Sequence, residues 1–552
     1  MFQMNFKNPA YLIFLTWIIL LPFQGCGQDK RDSAKVSEDS IRNAAENEWN
    51  KTIPGSFSSQ TKASFDSLEI SSFLDHYPKF KKYGESIRNF YSHRKMAFAW
   101  FDKGRLIEHA VNLTDRVMNL KNDGINQQLP YSQTLDTLVF NGDPDQVTGP
   151  MKIKLELMLT AQYFAFADLV WEGMDTRVSN KVNWYLPRKR VSYEEYLDSI
   201  LETEPGQLQN AKPPVSRQYE LLKSYLLKYR ELDESTEWFE IKGGNKSFRP
   251  GDSSQVIKQV RKRLSDLGDL KGDNQALVYD PELENAVKQF QFRHGQKDDG
   301  VLVKGTIAEM NVPYHQRIKQ LLVNMERSRW LPLSPKSDYL VVNIPEFKLH
   351  VYNSGKLLWS CNVVVGKAIN NTVVFSGELK YIVFSPYWNV PPSIVRKEVL
   401  KDMRRDGNYL DKHNMEITGY RDGLPEIRQR PGPSNSLGLV KFLFPNRYNI
   451  YLHDTPAKSL FNESSRAFSH GCIRISEPFK LAQFLLRNDP AWDDEKIYAA
   501  MNAGVQRFIP LTDKVPVFIG YLTAFVDREG RINFRKDIYS RDDRLADIMM
   551  LK

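Results

Sequence analysis

The chain has 552 residues, of which 41% are hydrophobic and 26% are charged. This composition is typical of globular proteins, and the length exceeds what one hydrophobic core usually accommodates. The formal net charge of +9 is mild for this length, and no dense basic tract accompanies it, so we expect no nucleic-acid partner. Three cysteines are too few for a disulfide framework.

The N-terminus has the pattern of a targeting signal. The apolar run YLIFLTWIILLPF at 11–23 follows Lys7 and has the length of a signal-peptide core rather than of a comfortable membrane span. It ends at Gly25-Cys26, which resembles a lipoprotein processing site with Cys26 as the lipidated residue. We therefore expect residues 1–25 to be a lipoprotein-type signal peptide, with an uncleaved signal anchor as the alternative. Either anchor would hold the rest of the chain on the periplasmic face of the cell envelope, attached to a membrane.

The next segments change from polar to helical. Residues 26–60 are polar and predict a linker. Residues 61–245 predict a helical scaffold domain, because long amphipathic stretches recur there and the apolar stretch 154–174 contains no helix breaker. No cluster of catalytic residue types lies in this part, so its expected role is structural.

A small helical domain is predicted for residues 249–312. Val256, Val260 and Leu264 recur four residues apart on one helix face, and a second helix and a short third helix follow. The stretch AVKQFQFRHGQKDDGVLVKGTIAEMN resembles the peptidoglycan-binding domain type 1, which implies glycan or stem peptide as a ligand. A helical spacer without a ligand is the alternative. Residues 313–336 then predict a connecting helix that ends before Pro332.

From residue 337 to residue 552 the period of the apolar residues changes to two. Strand patterns such as YLVVNI and VKFLFPNRYNIYLH alternate with hairpin turns at 353–355 and 527–530. Few helical connections separate them, so we predict a mixed sheet curled on itself. Between about 391 and 433 the pattern dissolves into charge, glycine and proline, which predicts a functional capping loop. The predicted fold class is therefore multidomain α+β.

Cys472 is the candidate for thiol chemistry. Cys361 alternates with apolar residues on one strand face and is predicted to be a packing residue. A neighbouring histidine commonly converts a thiol to the nucleophilic thiolate, and His453 and His470 are both near in sequence. Gly471 permits a tight turn in which the amides of 470–472 converge on an oxyanion. A helix starting after Ser476 would also lower the pKa of the thiol modestly.

The segment HDTPAKSLFNESSRAFSHGCIRI resembles the signature of YkuD-type L,D-transpeptidases. The stretches at 387–394, 430–446 and 451–456 resemble the YcbB-like branch of that family, as does the order of scaffold, peptidoglycan-binding domain, catalytic domain and capping loop. The resemblance implies an L,D-transpeptidase catalytic domain in residues 337–552. It also implies peptidoglycan stem peptides and glycan as partners, and no cofactor or metal.

The same resemblance implies residue roles. Cys472 would attack the carbonyl that follows the L-centre of diaminopimelate in a tetrapeptide stem, releasing D-Ala and forming a thioester. His453 would take the thiol proton and later deprotonate the acceptor amine, which gives a 3→3 cross-link. His470 and Gly471, with the Cys472 amide, would form the oxyanion hole. The residues expected to contact substrate are Arg474, Ser469, Tyr387, Trp388, Asn389 and Asn446.

Other interpretations remain open at this point. His453, His470, Cys472 and Asp454 are possible zinc ligands by residue type, but their spacing matches no usual zinc pattern. His470 is an alternative base to His453. An L,D-carboxypeptidase would pass the same thioester to water, and a non-enzymatic wall-binding scaffold would not need Cys472. A papain- or NlpC-type peptidase is disfavoured, because those enzymes place the cysteine before the histidine.

Overall fold

The structure is a computed structural model that describes residues 63–102, 104–140, 149–203, 212–272, 275–333 and 337–550. The predicted signal peptide, the linker and Cys26 lie outside the described residues. Within the described ranges, no helix combines the length and apolar character needed to cross a bilayer.

The helical region predicted for 61–245 is present and surrounds one apolar helix, Gly149–Phe166. From Leu155 to Phe166 every side chain of this helix is buried, which explains why its sequence lacks a polar face. It continues as a wide π-helical turn, Ala167–Glu172. The other helices of the region are Leu68–His76, Pro78–Tyr83, Gly84–His93, Glu108–Met118, Leu120–Asp123, Ser132–Phe140, Thr176–Lys181, Tyr193–Glu202 and Arg217–Ser235.

Glu156 is a fully buried carboxyl group in the middle of this central helix. It accepts hydrogen bonds from the hydroxyl of Tyr91 at 2.8 Å, from the amide of Trp100 at 3.1 Å and from the amide of Ala99. Burial nevertheless raises the pKa of Glu156 to about 7, because desolvation of the charge outweighs these donors.

We expect Glu156 to make the scaffold less stable as pH rises. A carboxyl group whose pKa is higher in the folded state stabilises the fold fully below its unfolded pKa, and this contribution is lost as pH rises through about 7. The unfolding free energy of the wild type minus that of Glu156→Gln should therefore decrease by about 3 kcal/mol from pH 4.5 to pH 7.5. Hydrogen exchange of the helix Gly149–Phe166 in both proteins measures this difference locally, and a pH-independent difference would contradict the expectation.

The three-helix domain predicted for 249–312 is confirmed, with helices Gln255–Leu267, Pro281–Arg293 and Lys304–Met310. The hydroxyl of Ser254 accepts from the amide of Val256 and so caps the first helix. Apolar side chains of the three helices form one separate core, which includes Val260, Leu264, Leu283, Val287 and Phe290. The connecting helix is Tyr314–Arg329, which ends three residues before Pro332.

The strands number from β1 to β17 in chain order. They are β1 (Phe101–Asp102), β2 (Arg105–Leu106), β3 (Trp184–Tyr185), β4 (Tyr339–Asn343), β5 (Lys348–Asn353), β6 (Lys356–Gly366), β7 (Val374–Phe384), β8 (Trp388–Asn389), β9 (Met415–Arg421), β10 (Leu424–Gln429), β11 (Val440–Leu443), β12 (Leu452–His453), β13 (Ala467–Ser469), β14 (Ile473–Ile475), β15 (Arg507–Gly520), β16 (Ala524–Val526) and β17 (Ile532–Phe534).

The catalytic region contains a mixed sheet that closes on itself, as the sequence predicted. Its strand order is β11-β12-β14-β6-β5-β4-β15-β7, and β7 pairs with β11 to complete the ring. β12 with β14 and β4 with β15 are parallel pairs, and the other neighbours in the ring are antiparallel. The short helices and helical turns outside the ring are Ile344–Glu346, Ala368–Asn370, Lys458–Asn462, Pro478–Leu486, Asp494–Asn502 and Arg541–Ile548.

Two short elements join regions that are distant in sequence. β3 comes from the helical region, yet it pairs with β7, with Trp184 opposite Val374. The C-terminal hairpin β16–β17 instead packs into the core of the helical region, where Ala524, Val526, Ile532 and Phe534 are buried. The helical and sheet regions are therefore interleaved rather than strung end to end.

The predicted capping loop at 391–433 has regular structure of its own, so the expectation of a patternless segment is wrong. β8, β10 and β9 form a three-stranded sheet in that order. Val390, Val395, Val399, Met415 and Ile427 form a separate small core beneath it. The helical segments are Pro392–Ile394, Val395–Val399, Leu400–Arg405 and Tyr409–Lys412. This unit is called the cap below.

Candidate active site

His453 ends one strand of the ring, and Cys472 lies just before the neighbouring strand. β12 and β14 run parallel, with Leu452 opposite Ile473 and His453 opposite Arg474. Cys472 is half-buried and immediately precedes β14, and the amide of Ile473 donates to the carbonyl of Tyr451. The sequence separates the thiol from the imidazole by a loop, and the parallel pairing brings the two segments together.

The thiol of Cys472 contacts a backbone carbonyl oxygen rather than the imidazole of His453. Its Sγ lies 3.6 Å from the carbonyl oxygen of Asn449, and in the described residues no hydrogen bond joins it to His453. Burial raises the pKa of the Cys472 thiol, although donors from Tyr451 and the charge of Arg474 favour the thiolate. The net shift of this pKa is therefore upward, opposite to the modest lowering expected from the helix that begins at Pro478, because desolvation is the largest effect.

His453 is buried and its ring is fixed. Nδ1 lies 2.5 Å from the carbonyl oxygen of Asp454, so Nδ1 carries the proton and Nε2 is left as the acceptor. Burial and the charge of Arg474 lower the pKa of His453 to about 3, and Lys441 acts in the same direction. The imidazole is therefore neutral at physiological pH and able to accept a proton.

The loop before the thiol is held by two hydroxyl groups. Ser469 Oγ accepts from the amide of Gly471 at 3.1 Å and donates to the carbonyl of Cys472. Thr372 Oγ1 donates to the carbonyl of Gly471 at 2.9 Å and accepts from the amide of Gly366 at 3.0 Å. Gly471 has φ of +119°, a conformation that a side chain would strain.

These contacts bear on the expected oxyanion hole. The amide of Gly471 is engaged by Ser469. Among the described residues, nothing accepts from the amides of His470 and Cys472. The two amides that remain available for an oxyanion are therefore those of His470 and Cys472.

We expect Thr372→Val to disturb this loop, although Thr372 was not a predicted site residue. Valine has a similar shape but leaves the Gly471 carbonyl and the Gly366 amide without their partner. Because Thr372 is buried, this should lower the free energy of unfolding by about 1–3 kcal/mol. We expect acylation of Cys472 to slow about tenfold. Thr372→Ser keeps the hydroxyl and should retain both the stability and the acylation rate of the parent protein. Thermal unfolding and acylation kinetics of the two variants test this.

His470 points toward the cap rather than toward the thiol. Its Nε2 lies 3.1 Å from Oε1 of Glu398, and its side chain is 43% exposed. The structure thus separates the two histidines by environment, with His453 buried beside β14 and His470 at the surface. This placement favours His453 over His470 as the base.

The remaining predicted substrate residues have different surroundings. Tyr387 lies under the guanidinium of Arg428 at 4.2 Å. Trp388 packs against the core of the cap, and Asn389 is exposed on β8. The amide nitrogen of Asn446 donates to the carbonyls of Phe444 and Ile450, so this side chain closes the turn before β12. Arg474 has a buried Nε with no hydrogen-bond partner in the described residues.

The zinc interpretation finds no geometric support in the described part of the chain. His453, His470, Cys472 and Asp454 do not converge. Over the described ranges, no three His, Cys, Asp or Glu side chains come close enough to share an ion. The carboxylate of Asp454 instead bonds to Lys458 and to the amide of Leu439.

Sequence reasoning missed Lys441 and Tyr451. Lys441 lies opposite His453 on β11, and the Tyr451 ring lies 5.7 Å from the ring of His453. Tyr451 is two residues before His453, so the alternation of side chains along YNIYLH could have indicated that the two share a face. Lys441 lies on another strand, and only the pairing of β11 with β12 brings it beside His453.

Three family models match separate parts of the chain. Residues 337–495 match the L,D-transpeptidase catalytic domain, YkuD. Residues 85–226 match a "Scaffold domain", and residues 253–310 match the "Putative peptidoglycan binding domain".

Known proteins show the same likeness. A Haemophilus influenzae protein named "Putative L,D-transpeptidase" is 31% identical over 243 residues, which are 41% of this chain and 49% of that protein. The chain thus spans about half the length of this curated relative.

Solved structures are more distant. An L,D-transpeptidase from Stackebrandtia nassauensis is 17% identical with a TM-score of 0.21, covering 51% of this chain and 97% of that one. One from Mycobacterium smegmatis is 14% identical with a TM-score of 0.19, covering 34% and 60%.

Proposed function

We propose that this protein forms 3→3 cross-links in peptidoglycan through a thioester on Cys472, because residues 337–495 match the L,D-transpeptidase catalytic domain. The donor is a tetrapeptide stem that loses its terminal D-Ala. The acceptor is the side-chain amine of diaminopimelate on a second stem. The proposal also includes a lipid on Cys26 and a location on the periplasmic face of the envelope.

In the first half-reaction the thiol becomes the nucleophile. The neutral imidazole of His453 takes the proton from Cys472, and Sγ attacks the carbonyl that follows the L-centre of diaminopimelate. The amides of His470 and Cys472 stabilise the oxyanion, because these donors are already oriented before the charge develops. The C–N bond to D-Ala then breaks, the leaving amine takes the proton from the imidazolium, and a thioester remains.

The second half-reaction transfers the acyl group. The acceptor amine attacks the thioester carbonyl and gives its proton to His453. The C–S bond breaks, and the thiolate of Cys472 is reprotonated. Neither half-reaction requires a group beyond a thiol, an imidazole and backbone amides, in agreement with the cofactor-free chemistry that the sequence predicts.

One observation carries this proposal: a half-buried thiol immediately precedes a strand that runs parallel to one ending in a buried, neutral imidazole. This pair supports any acyl transfer through a thioester, and the family of the domain supplies the substrate class. The peptidoglycan-binding domain supports the same substrate, since it is a second wall-directed unit in the chain.

The test is incubation of the full chain with tetrapeptide muropeptides, followed by mass spectrometry. Loss of D-Ala together with a cross-linked dimer supports the transpeptidase. Monomeric tripeptide alone would favour the L,D-carboxypeptidase, in which water takes the place of the amine. No change in the muropeptides, with binding retained, would favour the non-enzymatic scaffold.

A further inference from the structure

Lys441 and Arg474 flank the base on one face of the sheet. β11 pairs with β12 so that Lys441 lies opposite His453, and β12 pairs with β14 so that His453 lies opposite Arg474. Residues opposite each other in register project to the same face, with neighbouring strands about 5 Å apart. The three side chains therefore form a row across three strands, with the imidazole in the middle.

Neither cation has an acidic partner in the described part of the chain. Lys441 is half-buried, and its one polar contact is a 3.5 Å approach to the carbonyl oxygen of Tyr387. Arg474 has no ion pair there, and its buried Nε lacks a hydrogen-bond partner. The carboxylate of Asp454, which follows His453 in the sequence, is engaged by Lys458 and by the amide of Leu439.

Such a pair of cations is unfavourable in the free protein. Partly buried charges are normally paired, because desolvation without a partner is costly. Here burial lowers the pKa of Lys441, and both cations help to lower the pKa of His453 to about 3. The two cations disfavour the imidazolium form of His453, although Arg474 also favours the thiolate of Cys472. A negative charge that enters the row would relieve the effect on the imidazole.

We infer that Lys441, together with Arg474, binds a carboxylate of the donor stem peptide beside the scissile bond. The inference rests on the proposed function, because it assigns the ligand of that same site. A carboxylate matches both the charge and the hydrogen-bonding capacity of an ammonium and a guanidinium group. Once bound, it offsets the two positive charges, so that the imidazole accepts the thiol proton more readily in the complex than in the free enzyme.

The experiment compares donors and variants. The donors are a tetrapeptide stem with all carboxylates free and a set of analogues, each with one carboxylate converted to the carboxamide. Binding is measured by calorimetry to the full chain carrying Cys472→Ala, and acylation by mass spectrometry with Cys472 intact. The variants are Lys441→Met and Lys441→Arg. The matched control is Lys348→Met, because Lys348 is another half-buried lysine on a strand of the ring, beside Glu346.

We expect one carboxamide analogue to bind about tenfold or more weakly than the free acid, in proteins that retain Lys441 and in the Lys348→Met control. Lys441→Met should show a clearly smaller preference for the free acid, because only Arg474 remains, and Lys441→Arg should restore the full preference. The position of the carboxamide that matters identifies which carboxylate is bound.

Two results would overturn the inference while leaving the proposed function intact: equal binding of all donors by the parent protein, or an unchanged preference for the acid in Lys441→Met, each with normal acylation by the free acid. If Lys441→Met does not fold, the parent protein with the carboxamide set and Lys441→Arg still decide the question. If no donor acylates Cys472, the proposed function fails and this inference fails with it.

Discussion

Replacing Cys472 by alanine or serine is expected to lower cross-linking by at least about 10⁴-fold, because the proposed chemistry has no second nucleophile. A serine hydroxyl is a much weaker acid than a thiol, and a base with a pKa of about 3 cannot compensate for that difference. After incubation with the donor, the parent protein should gain the mass of the acyl group, and neither variant should gain it.

Cys361→Ala is the matched control for that experiment. Cys361 is the other cysteine in the described residues, and it is buried in the core of the sheet, with 4% of its surface exposed. Its replacement should leave the adduct and the product in place. Persistence of cross-linked product in Cys472→Ala would contradict the assignment of the nucleophile.

Replacing His453 by alanine is expected to lower the rate of acylation about 10²–10⁴-fold, the usual contribution of a positioned base. The structure further indicates that the resting pair is neutral rather than a thiolate–imidazolium pair, since the pKa of His453 is about 3 and the pKa of Cys472 is raised. Alkylation of Cys472 by iodoacetamide should therefore keep rising above pH 8.5, with no plateau between pH 4 and 8.

The same pKa values set the acid limb of the reaction. As pH is lowered, the rate of acylation should not fall through protonation of the base until pH approaches about 3. At that pH the imidazole of His453 becomes protonated in the free enzyme. His470→Ala is the comparison variant: the proposal uses the amide of His470 and not its ring, so this variant should lose far less activity than His453→Ala. A flat alkylation profile from pH 4 to 8 would show that the pair is ionised.

The sequence indicated the elements whose signals are local. The hairpin turn at 353–355 is present, with Ser354 and Gly355 both in the left-handed region between β5 and β6. The three-helix domain follows directly from apolar residues at helical spacing. The resemblance of the segment around Cys472 likewise agrees with the match of residues 337–495 to the L,D-transpeptidase catalytic domain.

The cap contains a local turn signal that the sequence prediction above did not include. Asp422 and Gly423 both have positive φ and connect β9 to β10 as a two-residue hairpin loop. The dipeptide Asp-Gly predicts such a turn, but charged residues interrupt the alternation of apolar and polar residues in the flanking strands. Pro425 lies within β10, opposite Tyr420. A proline inside a run of residues argues against a strand, so it also made this strand harder to predict.

Other features could not be predicted because they depend on pairing between distant segments. Nothing near Trp184 in the sequence indicates that it pairs with β7. The position of Lys441 beside His453 follows only from the antiparallel register of β11 and β12, and a shift of one residue would turn the lysine to the opposite face. Sequence patterns give the residues of each strand, whereas register decides which of them share the site.

The burial of β16–β17 within the helical region has a consequence for biosynthesis. Translation delivers the N-terminal end first, so the helices are made several hundred residues before the strands that complete their core. The early part of the chain must wait, incompletely packed, until the final residues arrive. A premature stop codon before β16 would therefore remove part of the core of the region that is synthesised first.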